Sequence, residues 1–221
     1  MSITDDQRAA EDKWLAAWKA GPQRLRWDHV PLQVGDPAPD LMLLSSAGDE
    51  VALSSLWAAG PALLLFWRHY GCSCGIDRAA RLRDEYQRFV DAGASVVIIG
   101  QGGPERSAAY AERNGIPCPI LSDPRQSSYR AYDLLEGTTA QILFDASDEF
   151  LRCELGVGES LAASRHDTDR ALVDNPWQLP GEFVIAGDGT VSLAYRYQFC
   201  EDFPDPRVLL AAIRFGVAAG A

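Results

Sequence analysis

The run Ala62-Leu-Leu-Leu-Phe-Trp67 is the strongest constraint on the fold. Six apolar residues without a polar break do not suit a strand that shows one face to water. They fit a central strand buried on both faces. A tight segment follows, Arg68-His-Tyr-Gly-Cys-Ser-Cys-Gly75. Beyond it Ala79, Leu82, Tyr86, Phe89 and Val90 recur at three- and four-residue steps, which predicts a helix from about Cys74 to Ala92. Gly93 is placed to end it. Ser95 to Ile99 is β-branched and reads as the next strand. Strand, helix, strand in this order is a βαβ unit, with parallel pairing and a right-handed crossover.

The rest of the chain extends this plan. Pro104 to Asn114 reads as a helix stopped by Gly115, Cys118 to Leu121 as a strand, and Gln126 to Leu135 as a further helix. Upstream, Val34-Gly-Asp-Pro-Ala-Pro-Asp40 is turn chemistry. Short strands are expected over Asp40–Leu44 and Glu50–Leu53, around a turn at Ser45–Asp49. Ser54 and Ser55 are expected to cap a short helix ending by Gly60. Gly137 to Leu179 is less regular and reads as an insertion with a hairpin-like piece, Ala140–Phe144 and Phe150–Leu155. Glu182–Ala186 and Thr190–Phe199 form strands joined across Gly187-Asp-Gly189. Arg207–Val217 is a last amphipathic helix. The expected fold is α/β, a mixed central sheet with helices on both faces on the thioredoxin-like plan. The division expected is an N-terminal helical extension over 1–33 and a thioredoxin-like domain over 34–221, with the insertion at about 137–179. Within the extension, Trp14, Leu15 and Trp18 fall on one face of a helix over Asp5–Ala20. That stripe is expected to pack on the main domain or on a second subunit, so a homodimer is open.

Charge and composition narrow the function classes. The 221 residues carry a net charge of −11, which argues against a phosphate backbone as partner. No unbroken apolar run exceeds six residues, far short of a membrane span. Met1 to Asp12 is polar and acidic, without the pattern of a secretory signal. Five cysteines are an odd number in a chain too large to need a disulfide framework. The expectation is a cytoplasmic protein with thiols held reduced, in which closely spaced cysteines serve redox chemistry or metal binding.

Cys72 and Cys74 stand where the buried strand hands over to the helix. The first N–H groups of a helix have no partner within it, and with the macrodipole they favour a thiolate. Thiol pKa values at such places fall from about 8.5 towards 3.5–7.5. A thiol with a pKa of about 8.5 is roughly 3% ionised at pH 7, and one near 6 about 90%. Arg68 and His69 can add positive charge, and Asp77, in the same first turn, would oppose it. Cys72, nearer the helix tip, is assigned as the nucleophile and Cys74 as the resolving thiol; the reverse order is open. Three other readings stand beside this one. The pair is inert, or it belongs to a non-catalytic binding protein that uses the Trp-rich helix and the insertion. Or His69, Cys72 and Cys74 hold a metal, with His166 or Cys200 as a fourth ligand. Cys118, Cys153 and Cys200 suit buried, structural positions. Glu201 and Asp202 disfavour a thiolate at Cys200, which could still act as a distant resolving thiol.

Several segments resemble the peroxiredoxin-like branch of the alkyl hydroperoxide reductase and thiol-specific antioxidant family. They are Val34-Gly-Asp-Pro-Ala-Pro-Asp-Leu41, the strand Leu63–Trp67, Gly71-Cys72, Ser122-Asp-Pro124 with Tyr129-Arg-Ala-Tyr132, Gln178-Leu-Pro-Gly-Glu-Phe-Val-Ile185 and Asp188-Gly189. The likeness covers about residues 34–215. It implies a thioredoxin fold and cysteine chemistry on peroxides or disulfides, without a cofactor. Reduction would come from an external thiol, a thioredoxin or a low-molecular-weight thiol. Three departures stand out. The Pro-x-x-x-Thr-x-x-Cys pattern is missing: Leu65 and His69 occupy those places before Cys72, and Trp67 and Gly71 before Cys74. Pro180 stands where the peroxidases carry an arginine, and where thioredoxin-like oxidoreductases carry a cis-proline facing the cysteines. Gly75 stands where a Cys-x-x-Cys spacing would put its second cysteine.

Overall fold

A computed structural model describes residues 5–142, 152, 154–165 and 170–219. The strands are β1 (Met42–Ser45), β2 (Glu50–Ala52), β3 (Ala62–Phe66), β4 (Ser95–Gly100), β5 (Ile120–Ser122), β6 (Gly181–Ile185) and β7 (Val191–Arg196). The helices are α1 (Asp5–Ala20), α2 (Ser73–Asp91), α3 (Pro104–Asn114), α4 (Ser127–Ala131), α5 (Thr139–Ile142), α6 (Leu155–Ala163) and α7 (Pro206–Ala219), with a short 3-10 helix at Leu53–Leu56. One sheet runs β2-β1-β5-β4-β3-β6-β7. β3 lies parallel to β4, which lies parallel to β5, while β6 is antiparallel to β3 and to β7. This is the mixed sheet expected from the element order.

β3 is the axis of the molecule. All five of its residues are buried, as an unbroken apolar run requires. Because side chains alternate across a strand, Leu63 and Leu65, with Trp67 just beyond, pack on one face against Leu82 and Phe89 of α2 and Ile213 of α7. Leu64 and Phe66 pack on the other face with Tyr129, Tyr132 and Phe183. α4, which carries Tyr129, is nucleated by the Asp123 carboxylate. It accepts hydrogen bonds from the backbone N–H groups of Ser127 (3.1 Å) and Ser128 (2.7 Å).

Two sequence expectations are corrected. Ser54 and Ser55 lie inside the 3-10 helix, whose N-cap is Ala52, and no side chain caps it; the Ser55 hydroxyl instead donates back to the Ala52 carbonyl. Among the described residues the hairpin-like piece is not formed: Thr139–Ile142 and Leu155–Ala163 are helical. Short apolar runs do not by themselves separate strand from buried helix. The remainder of that piece lies outside the described residues.

The aromatic face of α1 packs on residues of the main domain, one of the two partners expected for it. Trp14 and Trp18 are 2% and 1% exposed within a single chain, so this face is not offered to a second subunit. It is covered by the insertion rather than by the sheet. Trp18 stacks on Trp14 (centroids 5.2 Å apart) and on Trp177 (5.0 Å), in a cluster with Ile142, Ala162, Leu172 and Leu179. The Trp177 indole N–H donates to the Ala17 carbonyl at 2.6 Å. The segment after α1 is strapped to the turn before α5. The Glu136 carboxylate accepts from the backbone of Gln23, and Asp133 accepts from the backbone of Leu32. Among the described residues no helix is long and apolar enough to cross a membrane.

Removing a buried aromatic ring leaves a cavity as well as a loss of transfer energy. Trp177→Ala should cost about 3–5 kcal/mol of stability in chemical denaturation. An effect below about 1 kcal/mol would mean that α1 and the insertion do not brace one another.

Candidate active site

The site forms where β3 ends. The Trp67 N–H donates to the Ile99 carbonyl at 2.8 Å, and the Tyr129 hydroxyl lies 2.7 and 2.8 Å from the Trp67 and Ile99 carbonyls. The chain then turns, with the Cys72 N–H donating to the His69 carbonyl at 3.1 Å. Cys72 has extended backbone angles and is the N-cap of α2, which starts at Ser73. The turn presses against the insertion: a Cβ on Gly71 would lie 2.2 Å from the Ala171 carbonyl oxygen, so only glycine fits. Cys72 and Cys74 are joined as a disulfide, their Cα atoms 5.4 Å apart, within the usual span. Cys72 is half-buried and Cys74 is 3% exposed.

The Cys-x-Cys spacing has a local cause. A Cβ on Gly75 would meet the Tyr110 hydroxyl at 2.8 Å and the Trp67 indole nitrogen at 2.9 Å. Those two groups are themselves hydrogen-bonded at 3.0 Å. Trp67 therefore packs behind the helix tip and occupies the space that a second cysteine at position 75 would need.

Arg68 supplies the positive charge beside Cys72. Its guanidinium is buried and points one N–H at Cys72 Sγ, 3.3 Å away. The rest of the guanidinium is anchored on main-chain carbonyls, those of Gln178 (3.2 Å) and Pro176. Among the described residues no carboxylate pairs with it. His69 plays a different part from the one expected. Burial first, and then the charges of Arg68 and Arg165, hold its pKa well below the ordinary histidine value. It is neutral at pH 7 and adds no charge to the site. Asp77 is exposed and lies beyond the first turn of α2, because the helix starts at Ser73 rather than at Cys74.

Beneath the disulfide lies a cavity of about 20 Å³, room for about one water. Cys74, Arg68, Pro180, Glu182, Tyr197 and Cys200 are among the residues that line it. Pro180 is thus beside the cysteines, and its peptide bond is trans. Glu182 is a functional candidate that the sequence reading missed. It is 2% exposed and accepts hydrogen bonds from Arg78 Nε at 2.7 Å and from the Tyr197 hydroxyl at 2.6 Å. Arg78 also binds Glu85 at 2.9 Å. A signal was present: Arg78 follows Cys74 by four residues and precedes Leu82 by four, on the buried face of α2.

The remaining cysteines separate. Burial pushes the Cys118 thiol up to about 12, which leaves it protonated at neutral pH. Cys200 is buried, and its thiol lies 3.4 Å from the Ile142 carbonyl as donor. Burial raises its pKa and the Arg68 charge opposes the rise. Cys153 and His166 lie outside the described residues. Among the described residues no three His, Cys, Asp or Glu side chains are grouped so as to hold a metal ion.

A mixed sheet carrying a cysteine pair at a helix N-terminus beside a buried arginine defines a thiol-redox protein of the thioredoxin-like class. The AhpC/TSA family model matches residues 34–194, and the chain belongs to that family. It is an enzyme of the peroxidase or thiol-disulfide oxidoreductase kind. Among curated relatives, the chloroplastic thioredoxin-like protein AAED1 of Arabidopsis thaliana is 25% identical over 178 residues, 78% of this chain and 69% of that protein. Peroxiredoxin Bcp of Bacillus subtilis is 23% identical over 105 residues, 48% of this chain and 66% of the relative. Among solved structures, peroxidoxin BcpB from Mycobacterium tuberculosis superposes with a TM-score of 0.59 at 21% identity, covering 83% of this chain and 97% of the other. That likeness bears out the thioredoxin-type fold.

Two outcomes test this geometry. Arg68→Gln should slow alkylation of reduced Cys72 at neutral pH by about tenfold, since a thiolate loses its adjacent cation; an unchanged rate would remove Arg68 from the site. Native Cys118 should resist alkylation at pH 8 and react fully once the protein is denatured, as mass analysis of labelled peptides would show.

Proposed function

We propose that Cys72 and Cys74 are the working dithiol of this enzyme, with Cys72 as the nucleophile and Cys74 as the resolving thiol. The observation that carries the reading is the asymmetry of the pair. Cys72 is half-buried at the α2 N-terminus with the Arg68 guanidinium 3.3 Å from its sulfur, whereas Cys74, two residues further on, is buried. An attacking sulfur needs access and a stabilised thiolate; a resolving sulfur needs only reach.

With a peroxide as substrate, the Cys72 thiolate attacks one oxygen of the O–O bond. The other oxygen leaves and is protonated to an alcohol or water, and Cys72 becomes a sulfenic acid. Cys74 then displaces that hydroxyl as water, and the Cys72–Cys74 disulfide closes. Two equivalents of an external thiol, a thioredoxin or a low-molecular-weight thiol of the cytoplasm, restore the dithiol and leave as a disulfide. With a disulfide as substrate, the same thiolate attacks sulfur and Cys74 resolves the mixed disulfide. Disulfide exchange is favoured as a parallel activity by residues Leu65, His69 and Pro180. They stand in place of the proline and threonine that shape the peroxide pocket of the resembling peroxidases, and of their arginine.

Turnover of hydrogen peroxide, and separately of oxidised glutathione, with dithiothreitol as reductant tests the assignment. Cys72→Ser should fall below about 1% of the native rate with either substrate, since no other thiolate shares its position. With the reductant removed, Cys74→Ser should still consume one peroxide per chain and accumulate a Cys72 sulfenic acid. Retained turnover in Cys72→Ser would contradict the proposal.

A further inference from the structure

We infer that Cys200 is a third redox thiol of this site, placed to exchange into the Cys72–Cys74 disulfide by capturing Cys74. The inference rests on the reading of Cys72 and Cys74 as a redox pair and extends it by one disulfide. Cys200 lies after β7, 126 residues beyond Cys74 in sequence (200 − 74), yet both line the one small cavity beneath the helix tip. That cavity has room for about one water, unfilled space into which a lining side chain can turn.

The Arg68 guanidinium ties this thiol to the pair. It holds Cys72 Sγ at 3.3 Å, and it lines the same cavity as Cys74 and Cys200. One buried cation is therefore bonded to the disulfide and shares a cavity with the free thiol, whose rise in pKa it opposes. The acidic residues that disfavour a thiolate at Cys200 in the sequence are turned to other uses or to solvent. The Asp202 carboxylate accepts from the Tyr195 hydroxyl at 3.0 Å and from the Gln198 N–H at 2.9 Å. Glu201 is exposed, and its opposing effect on Cys200 is smaller than that of Arg68. The loop itself is fixed beside the site by the Tyr197 N–H on the Pro180 carbonyl (3.2 Å) and the Cys200 N–H on the Gln141 carbonyl (3.1 Å).

The exchange balances without an outside oxidant. Cys200 loses its proton to water, and its sulfur attacks Cys74 Sγ. The Cys72–Cys74 bond breaks and the Cys74–Cys200 bond forms. The electron pair leaves on Cys72, as a thiolate held by Arg68 and the α2 N-terminus. A leaving thiol with a stabilised anion leaves faster, which sets the direction of attack onto Cys74 rather than Cys72. The outcome is a chain that stores one disulfide in the interior while Cys72 is again free to attack.

Reduced native protein and the variants Cys72→Ser and Cys200→Ser would be oxidised with oxidised glutathione, quenched in acid and mapped by non-reducing peptide mass analysis. In Cys72→Ser, held with the oxidant until the slow reaction of a buried thiol is complete, the main product should be a Cys74–Cys200 crosslink, with alkylation of Cys200 lowered about tenfold. In the native chain a Cys74–Cys200 species should accompany Cys72–Cys74, and Cys200→Ser should lose the first and keep the second. A native Cys72–Cys74 disulfide, with Cys200 fully alkylatable in both the native chain and Cys72→Ser, would overturn this inference alone. Absence of both crosslinks from oxidised native protein would overturn it together with the reading of the redox pair.

Discussion

The buried guanidinium of Arg68 is the contact on which the rest of the site depends. Burying a cation without a carboxylate costs several kcal/mol unless hydrogen bonds satisfy it. Here the bonds come from the Pro176 and Gln178 carbonyls and from Cys72 Sγ. The end of β3, the segment before β6 and the tip of α2 are therefore held as one unit. A shift in any of them would strand a buried charge. The N-terminal helix closes the arrangement from outside. Trp18 stacks on Trp177, which lies between the two carbonyls that hold Arg68, so α1 braces the redox site without touching a sulfur.

A second buried charge cluster lies under the other cysteine. Arg78 and Glu182 join α2 to β6 at 2.7 Å, and Tyr197 completes the carboxylate's shell from the loop after β7. The two clusters divide the labour. Arg68 faces Cys72 and favours negative charge there. The Arg78–Glu182–Tyr197 group is internally balanced and lines the cavity behind Cys74. A thiolate is thus favoured at one end of a two-residue step and not at the other. This is the physical basis for the unequal roles proposed for a pair so close in sequence.

Much of the frame was legible in the sequence. The apolar run gave away β3, the three- and four-residue spacing gave away α2, and the cysteines fell at the junction of the two. Local pattern carries that kind of information, because strand and helix periodicities are properties of neighbours. The anchoring of Arg68 was not legible, since its carbonyl partner at Gln178 is 110 residues away and presents a backbone atom common to every residue. The destination of the α1 tryptophans was hidden for the same reason: an amphipathic stripe tells which face is buried but not against what. Gly75 is the instructive case. In sequence it looks like a missing cysteine, whereas in the fold it is the space needed by Trp67 and Tyr110. Arg78 and Glu182 were readable in principle as charges on buried faces, a pattern that requires a partner.

The central claim is that oxidation enters at Cys72 and closes on Cys74. The direct measurement is rapid trapping. Fully reduced protein receives one equivalent of hydrogen peroxide, is quenched with an alkylating agent after increasing intervals of seconds, and its cysteines are mapped by mass. The account predicts a Cys72 sulfenic acid that precedes and decays into a disulfide containing Cys74, with Cys118 unmodified throughout. Free thiols at both Cys72 and Cys74 after exposure to peroxide, and again after exposure to a disulfide reagent, would contradict it.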